Sequence, residues 1–473
     1  MMYKKFLLVL CFFIPQFANS ELLTLDTYLQ TVVRVNDELK ALQANINEIK
    51  GKIAELERAY SYYFAAGINY LNDQTGQELY LINIDKFKNT SYTLSLNKQF
   101  KTGTKLSFGA ARSIWEFDGS RELQNIKYNE NRLYPFLSLE QSLLKDFGQG
   151  AMEAGIAKTR AQAKSALYLL EYKKQGLLFN AKMVYWKMSY FQTIIEFKKA
   201  SLNRMKNILE WNERRYKKNL IDELELLESQ ASVKMKELNL RMANEDMDKT
   251  KREFSLILNA SDKNVEYELE KIEDQVKIFS LKPRLEKKTS RFDVLAAMEN
   301  VKSVSYDQIS FSKGSGADLV FSGELSFSKI NRDIGGFVSN SDISNKDAPT
   351  YRIGLKYILP LDFNLRKKVH DGYEAGKIAA DKNAVFIAAK ENDDWISLSK
   401  TFDNARGRLA TAYEIKNLKQ QKVAKNKKYL AHGRSSTYFV LRDEEDLDEI
   451  EVNIFQCILE IISVYEQAQI FYG

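Results

Sequence analysis

The stretch YRIGLKYILPL, residues 351–361, alternates apolar and polar side chains and then reaches a proline. Its odd-numbered residues from 351 to 359 are all apolar, and Arg352 and Lys356 lie between them. Such period-two alternation predicts a β-strand with one apolar and one polar face. Residues 365–429 follow without a proline, which predicts one long helix. A strand that leads into a helix of this length indicates a tube crossing an envelope more than a catalytic globule.

The same plan occurs twice along the chain. Pro135 in LYPFL (133–137) and Pro360 in YILPL (357–361) are each interpreted as the point where a strand gives way to a helix. Segment 37–46 also matches segment 292–301 at one constant offset, which indicates an internal repeat. We therefore divide the chain into a signal peptide (1–20), a first repeat (21–262), a linker or equatorial segment (263–290) and a second repeat (291–473). Each repeat is expected to hold a helix, barrel strands and a long helical hairpin.

The first twenty residues are typical of a secretory signal. Two lysines precede an apolar run over residues 6–14, and small residues at 18–20 provide a cleavage site. Cys11 follows Leu10, where a lipid-attachment signal would have a small residue, so we do not expect lipidation. The mature chain then has one cysteine, Cys457, which lies in an apolar stretch and is predicted to be a small core residue.

Charge and histidine content exclude several functions. The net charge of +7 is mild for 473 residues and does not favour a nucleic-acid partner. The only histidines, His370 and His432, have no partner at metal-ligand spacing, and no phosphate loop or nucleophile motif occurs. We therefore expect no enzyme activity, no cofactor and no metal.

The strand patterns of the two halves differ in number. In the second half, residues 319–327 and 351–359 alternate on either side of a polar loop at 331–349. The first half has patterns at 64–70, 92–96, 106–110 and 133–139, so it carries an additional hairpin near residues 91–113. The alternation favours strands with lipid outside and water inside, although a soluble antiparallel sheet with one wet face gives the same pattern. Whether the additional hairpin joins a barrel or caps it stays open.

Helices occupy most of the remaining chain. An opening helix is predicted over 24–60. Residues 147–216 contain no proline, and a continuous helix of that length would measure about 105 Å at about 1.5 Å per residue. The return helix after the first tip carries apolar residues at coiled-coil spacing. In the second half a tip at 432–437 separates the helix at 365–429 from a return helix at 438–472.

Charged residues flank both predicted tips. Lysines recur every three residues from 416 to 428, and an acidic run follows at 443–451. Folding about Arg434-Ser435 would bring Lys425 opposite Glu444-Glu445 and Lys422 near 446–448. The first tip is expected to behave likewise, with basic residues at 214–218 and acidic residues at 222–225. Such pairs either hold each hairpin in register or bridge between hairpins at a pore mouth.

Three segments carry a resemblance to a known family: LEQSLLKDFG (139–148), RYKKNLID (215–222) and YLAHGRSSTYFVL (429–441). With the duplication and their order, the chain resembles the TolC-type outer-membrane efflux proteins over nearly its whole length. The resemblance implies the trimeric exit duct of a tripartite export system, serving efflux or type I secretion. Ser142 departs from the family's usual proline, and Asn219 from its usual glycine. The additional hairpin departs from the usual four strands per protomer.

The fold class that the resemblance implies is mixed α and β. Three copies would form one β-barrel in the outer membrane of a Gram-negative bacterium, continued by an α-helical barrel through the periplasm. Expected partners are outer-membrane lipid, a periplasmic adaptor (membrane fusion) protein and an inner-membrane pump of the RND or ABC type. The passive pore would be gated at the tips by Tyr429 and Arg434, with Asp222 or Glu223 as acidic partners.

Two further expectations do not depend on the family. Alternation alone predicts that Glu324, Arg352 and Lys356 face the lumen of the barrel. The competing interpretation of the whole chain is a structural or adhesive trimeric coiled-coil protein of the cell surface, without transport activity.

Overall fold

The structure is a computed structural model that describes residues 22–79, 82–121, 124–147, 150–260, 267–275, 285–331 and 349–471. The predicted signal peptide and most of the 331–349 loop lie outside this part. Its main helices are α1 (Leu25–Val35), α2 (Asp37–Arg58), α3 (Ala151–Tyr216), α4 (Glu223–Ile257), α5 (Phe292–Gly314), α6 (Phe363–Ala431) and α7 (Thr437–Ala468), and a short 3-10 helix (Gln469–Phe471) follows α7. Its strands are β1 (Leu22–Leu23), β2 (Tyr63–Asp73), β3 (Gln77–Leu79), β4 (Ile82–Gln99), β5 (Lys105–Arg121), β6 (Gln124–Ser142), β7 (Glu268–Leu269), β8 (Asp318–Phe327), β9 (Lys329–Asn331) and β10 (Pro349–Ile358).

The two long helices of the sequence are confirmed, and with them the mixed α and β class. Helix α3 has 66 residues and α6 has 69. Each is therefore on the order of 100 Å long. Helices of this length need packed faces because isolated helices are weak in water. The hairpin partners α4 and α7 supply such faces in the first compact unit.

The opening helix is not continuous, which corrects the prediction of one helix over 24–60. Asn36 has an extended backbone (φ −65°, ψ 120°) and separates α1 from α2. Its side chain accepts a hydrogen bond from the Leu39 amide at 3.0 Å and donates to the Ile257 carbonyl at 2.8 Å. The Asn36 side chain thus caps the second helix and competes with the backbone hydrogen bonds of a continuous helix. The spacing of apolar residues does not reveal such a break.

The first compact unit comprises residues 1–45, 170–292 and 388–473. Its core surrounds Tyr28, Tyr185 and Trp186, which are almost fully buried, and Tyr28 stacks on Phe254 with ring centroids 4.6 Å apart. Burying side chains of this size contributes roughly 1.5–3 kcal/mol each. Cys457 packs against this core as a half-buried thiol, in agreement with the predicted core role.

The second compact unit comprises residues 46–169 and 293–387 and holds an eight-stranded sheet. Six strands follow the order β10-β8-β6-β5-β4-β2, every neighbouring pair is antiparallel, and β3 and β9 add short ladders. The additional hairpin is β4 with β5, joined by a turn in which Gly103 has φ 79°. It therefore lies inside the sheet, between β2 and β6.

The prediction that Pro135 lies where a strand gives way to a helix is wrong. Strand β6 continues to Ser142, and Pro135 lies opposite Ala110 of β5. On its other side the ladder is interrupted, because β6 pairs with β9 up to Leu133 and with β8 only from Phe136. A proline, which has no N–H, is tolerated at such an interruption. Pro360, by contrast, lies between β10 and α6 as predicted.

Both compact units draw residues from both predicted repeats, so the repeat boundaries stay a prediction. Across the described residues, no helix is both long enough and apolar enough to cross a membrane.

Candidate functional site

The six-strand sheet has one apolar face. Residues directly opposite in neighbouring strands point to the same side, and this register aligns the apolar position of each strand with that of the next. Ile353 lies opposite Gly323, which lies opposite Leu139, which lies opposite Leu106. The same face carries Phe64, Ala66, Ile68, Tyr70, Tyr92, Leu94, Leu96, Phe108, Ala110, Leu133, Pro135, Leu137, Leu319, Phe321, Leu325, Tyr351, Leu355 and Tyr357.

Many of these side chains are exposed within a single chain. The exposed fraction is 75% for Ile353, 71% for Ile68 and 62% for Phe108, on three different strands. Monomeric soluble proteins rarely expose apolar patches of more than a few hundred Å². The exposure of this face therefore indicates that it contacts an apolar environment rather than water.

The opposite face is polar and brings the predicted lumen residues together. Arg352 lies opposite Glu324, and its Nη1 is 3.2 Å from Glu324 Oε1. One row further along the strands, Lys105 Nζ is 2.7 Å from Glu140 Oε1. Lys356 lies on the same face of β10 and is exposed. The placement of all three predicted residues on one polar face agrees with the alternation, while a lumen itself stays a prediction.

The apolar face has a limited height. Along β6 it extends from Leu139 to Leu133, and the next residue on the same side is the polar Asn131. At about 3.4 Å per residue, the steps from Leu139 to Leu133 span about 20 Å along the strand. Arg112 lies at the boundary and bonds to Asn131, and beyond it Lys88 Nζ lies 3.5 Å from Glu116 Oε2 on the same face. An apolar span of about 20 Å is close to, and slightly shorter than, the apolar band of outer-membrane strands, which is about 25 Å tall.

Strands β4, β5 and β6 continue beyond this band and carry a cluster of aromatic side chains there. The sequence analysis did not predict this cluster. On the polar side, Phe87 stacks on Phe117 at 4.9 Å and meets Trp115 edge-on. The Arg132 guanidinium lies 4.2 Å from the Trp115 ring and pairs with Glu130. The alternation of Trp115 and Phe117 in the sequence could have predicted that two aromatic side chains lie on the same face of a strand.

The first helical tip is a tight turn between α3 and α4. Asn219 has φ 55°. This left-handed conformation is one that asparagine tolerates better than other non-glycine residues, as expected from its place in the sequence. The Asp222 carboxylate accepts from the Glu225 amide at 2.9 Å and so caps α4. Glu223 follows as the first, exposed residue of α4.

Ion pairs across this first tip were expected, and the described residues form none. Arg214 pairs instead with Glu210, one turn earlier on its own helix, at 3.3 Å. Arg215 lies over the Trp211 ring at 4.5 Å. The side chain of Asp222 is directed to the backbone of its own helix, so it does not hold the hairpin.

The second tip is closed by backbone hydrogen bonds. The Tyr429 carbonyl accepts from the Arg434 amide at 2.8 Å, and Gly433 makes the turn with φ 71°. A left-handed glycine of this kind commonly ends a helix. The side chains of Tyr429 and Arg434 are exposed, and neither has a hydrogen-bond or ion-pair partner among the described residues. One chain thus does not bring the predicted gate residues into contact, and their role stays a prediction.

The lysine and acidic runs pair across this hairpin, but in a shifted register. Lys422 Nζ lies 2.6 Å from Asp443 Oδ1, and Lys427, not Lys425, pairs with Glu444 at 2.5 Å. Two further pairs hold α6 against α7, namely Lys416–Glu451 at 3.1 Å and Lys419–Asp446 at 3.3 Å. Relative to folding about Arg434-Ser435, the partners of Lys419 and Lys422 lie about one helical turn closer to the tip, whereas the partner of Lys427 lies slightly further from it.

The acidic run also contacts the first hairpin. Asp448 is buried, and its carboxylate binds Arg204 of α3 at 2.7 Å and Lys236 of α4 at 2.6 Å. Ser201 donates to the same carboxylate. Burial, helped by the charge of Lys236, lowers the pKa of the neighbouring Lys198 ammonium, because both disfavour its charged form. The two hairpins of one chain are thus joined by a carboxylate shared by two cations, and bridging at a pore mouth stays a prediction.

The fold of this chain, a two-faced sheet and long helical hairpins, is similar to that of solved outer-membrane channels. Among solved structures, the outer-membrane channel OprN has 11% identity and a TM-score of 0.64, covering 95% of this chain and 89% of that chain. The outer membrane protein VceC from Vibrio cholerae has 12% identity and a TM-score of 0.62, with 95% of both chains covered. The open state of the Neisseria gonorrhoeae MtrE outer membrane channel has 10% identity and a TM-score of 0.63, covering 95% and 89%.

By sequence, no protein-family model and no curated protein matches the chain. The likeness to solved channels is therefore one of fold. At that level it confirms the resemblance to TolC-type outer-membrane channels that the three sequence segments predicted.

Proposed function

We propose that this protein is an outer-membrane channel that serves as the exit duct for efflux or type I secretion. The observation that carries the proposal is the apolar face of the sheet, which extends over six strands in one band and opposes a polar face. Such a band is what lipid requires of membrane-spanning strands. The fold shared with solved outer-membrane channels supports the same function.

In the proposed assembly, three copies close their sheets into one β-barrel in the outer membrane of a Gram-negative bacterium. Closure satisfies the backbone groups of the two edge strands, which hydrocarbon would otherwise leave unpaired. The long helical hairpins continue the duct as an α-barrel in the periplasm. Residues 21–262 and 291–473 act as two structural repeats joined by the segment at 263–290.

The chain works as a passive pore and supplies a wall, a lumen and a gate. Glu324, Arg352 and Lys356 line the lumen, where their charges act on passing solutes. Direction and energy come from a periplasmic adaptor and an inner-membrane pump of the RND or ABC type. Docking of the adaptor opens the periplasmic tips.

At the gate, Tyr429 and Arg434 of one copy bond to a neighbouring copy, with Asp222 or Glu223 as acidic partners. Two features support this proposal. Both Tyr429 and Arg434 present exposed side chains without a partner in the described part of their own chain. Asp222 and Glu223 are exposed at the other tip.

The proposal is tested by extraction followed by electrical recording. We expect the mature protein to require detergent for release from isolated membranes, and to form discrete conducting channels in planar lipid bilayers. Release into plain buffer without channel activity would instead support a structural or adhesive surface protein. The Leu355→Lys variant described in the Discussion serves as the insertion-deficient control.

A further inference from the structure

The additional hairpin has the same two faces as the rest of the sheet. On β5, Phe108 lies on the apolar face opposite Leu137 of β6, while Ser107 lies on the polar face opposite Ser138. On β4, Leu96 is aligned with Phe108 and Asn97 with Ser107. The band of apolar residues thus crosses β4 and β5 at the level at which it crosses β6. A hairpin that capped a pore would have no reason to keep this alignment.

The edges of the sheet fit a second copy of the chain. The ordered path of strands ends at β2 on one side and at β10 on the other, and neither has a second strand partner among the described residues. The two edge strands have 11 and 10 residues. An even number of antiparallel strands makes β2 and β10 run in opposite directions, so β2 of one copy can pair antiparallel with β10 of the next.

We propose that each copy contributes six strands to the wall, so that three copies close a barrel of eighteen strands. This inference rests on the proposed channel function and deepens it. The resemblance alone implies four strands per copy and twelve in the barrel. Because barrel diameter grows roughly linearly with strand number, eighteen strands give a barrel about 1.5 times as wide.

The chemistry of the inner wall then indicates the class of cargo. Barrels of 16–18 strands leave an aqueous channel, whereas small barrels are filled by their own side chains. At the level of the apolar band, the polar face of the two additional strands carries small side chains, including the hydroxyls of Ser91, Ser95, Ser107 and Ser113, and the bulky Phe87, Trp115 and Phe117 lie beyond that level. The outer-membrane segment of this duct thus admits hydrated solutes or polypeptides of larger cross-section than a twelve-stranded barrel would.

Single cysteines at matched positions test this inference. Phe108→Cys and Ser107→Cys probe the two faces of the additional hairpin, and Ile353→Cys and Arg352→Cys probe β10, which lies in the wall under either strand number. All four are made with Cys457→Ser and studied in proteoliposomes of the full chain. Each is treated with a charged, water-soluble maleimide and, separately, with a maleimide dissolved in the lipid.

We expect Phe108→Cys and Ile353→Cys to react at least about tenfold more slowly with the charged reagent than Ser107→Cys and Arg352→Cys do. With the lipid-dissolved reagent the order should reverse. If Phe108→Cys reacts with the charged reagent like Ser107→Cys while Ile353→Cys still faces lipid, the eighteen-strand wall is wrong and the channel function stands. If Ile353→Cys also behaves like Arg352→Cys, the proposed function itself fails. Should Phe108→Cys not accumulate, Leu94→Cys and Ser95→Cys on β4 provide the same comparison.

Discussion

Arg352 on β10 and Glu324 on β8 face each other across the ladder, with Nη1 3.2 Å from Oε1, on the polar side of the sheet. The Arg352 side chain is 73% exposed. The pair therefore contributes little to stability, less than about 1 kcal/mol. Its position matters more for the solutes that pass it. In the proposed channel these charges lie within a lumen where ions pass close by.

Glu324→Gln is therefore expected to leave assembly unchanged and to shift selectivity toward anions, because it removes a negative charge from the lumen. The measurement is the reversal potential of single channels under a salt gradient. Glu116→Gln is the matched control, since Glu116 forms a similar pair with Lys88 on the other face of the sheet. If the shift in reversal potential with Glu324→Gln is no larger than that with Glu116→Gln, Glu324 lies outside the conduction path.

A charge on the apolar face should block insertion. Leu355→Lys places an ammonium within the proposed hydrocarbon band, which costs about 2–4 kcal/mol near the bilayer centre. We expect a several-fold loss of folded protein in the membrane fraction, measured by resistance to protease. Ser322→Lys, on the polar face of the neighbouring strand β8, should accumulate normally. Equal accumulation of the two variants would mean that the apolar face does not contact lipid.

Removing the hydroxyl groups of two buried tyrosines in the helical core should have opposite effects on stability. The Tyr28 hydroxyl has no hydrogen-bond partner in the described part of the chain, whereas Tyr185 donates to the Leu23 carbonyl at 2.7 Å and accepts from the Glu270 amide at 3.2 Å. Removing an unsatisfied buried hydroxyl costs little or stabilises, and removing a satisfied one costs about 1–3 kcal/mol. In chemical unfolding, Tyr28→Phe should keep or raise the midpoint and Tyr185→Phe should lower it. A larger loss for Tyr28→Phe would contradict this assignment.

The shared carboxylate of Asp448 should stabilise the two helical hairpins against each other. Asp448→Asn removes the carboxylate that pairs with the largely buried Lys236, while Arg204 keeps Glu444 at 3.2 Å. We therefore expect a loss of about 3 kcal/mol in the free energy of unfolding, measured by chemical denaturation.

Asp446→Asn is the control for this variant. Asp446 is more exposed than Asp448 and pairs with Lys419 at 3.3 Å. An exposed pair of this kind limits the expected loss to under about 1 kcal/mol. Similar losses for both variants would show that burial of Asp448 is unimportant.

The gate candidates can be tested without disturbing the helix cap. Asp222→Asn retains a side-chain oxygen that can accept from the Glu225 amide, and asparagine caps helices as well as aspartate does. The variant therefore removes only the charge. Together with Arg434→Gln, it should raise single-channel conductance or open probability if these residues hold the tips closed. Unchanged conductance in both variants would remove them from the gate.

Periodicity predicted the large elements well. Alternation at 319–327 and 351–359 placed Glu324, Arg352 and Lys356 on one face, because a period of two fixes the side of each residue once the strand exists. The long helices followed from the spacing of prolines. The break at Asn36 did not, since it depends on a contact with the distant Ile257 carbonyl.

Pairing partners were less accessible to sequence reasoning. The register of the second hairpin depends on where α6 ends, and Lys422 pairs with Asp443 rather than with the predicted 446–448 segment. Asp448 was expected to pair within its own hairpin, yet it binds Arg204 and Lys236, which are far away in the chain. Pro135 was misread because its tolerance depends on an interruption in the neighbouring ladder.

A cryo-electron microscopy map of the protein extracted from membranes in detergent would show whether its sheets form the wall of a channel. We expect three copies around one continuous channel, with Ile353 and Leu355 directed into the detergent belt and Arg352 directed into the channel. A single copy without a channel, or an assembly whose sheets bury Ile353 and Leu355 against protein, would contradict this expectation.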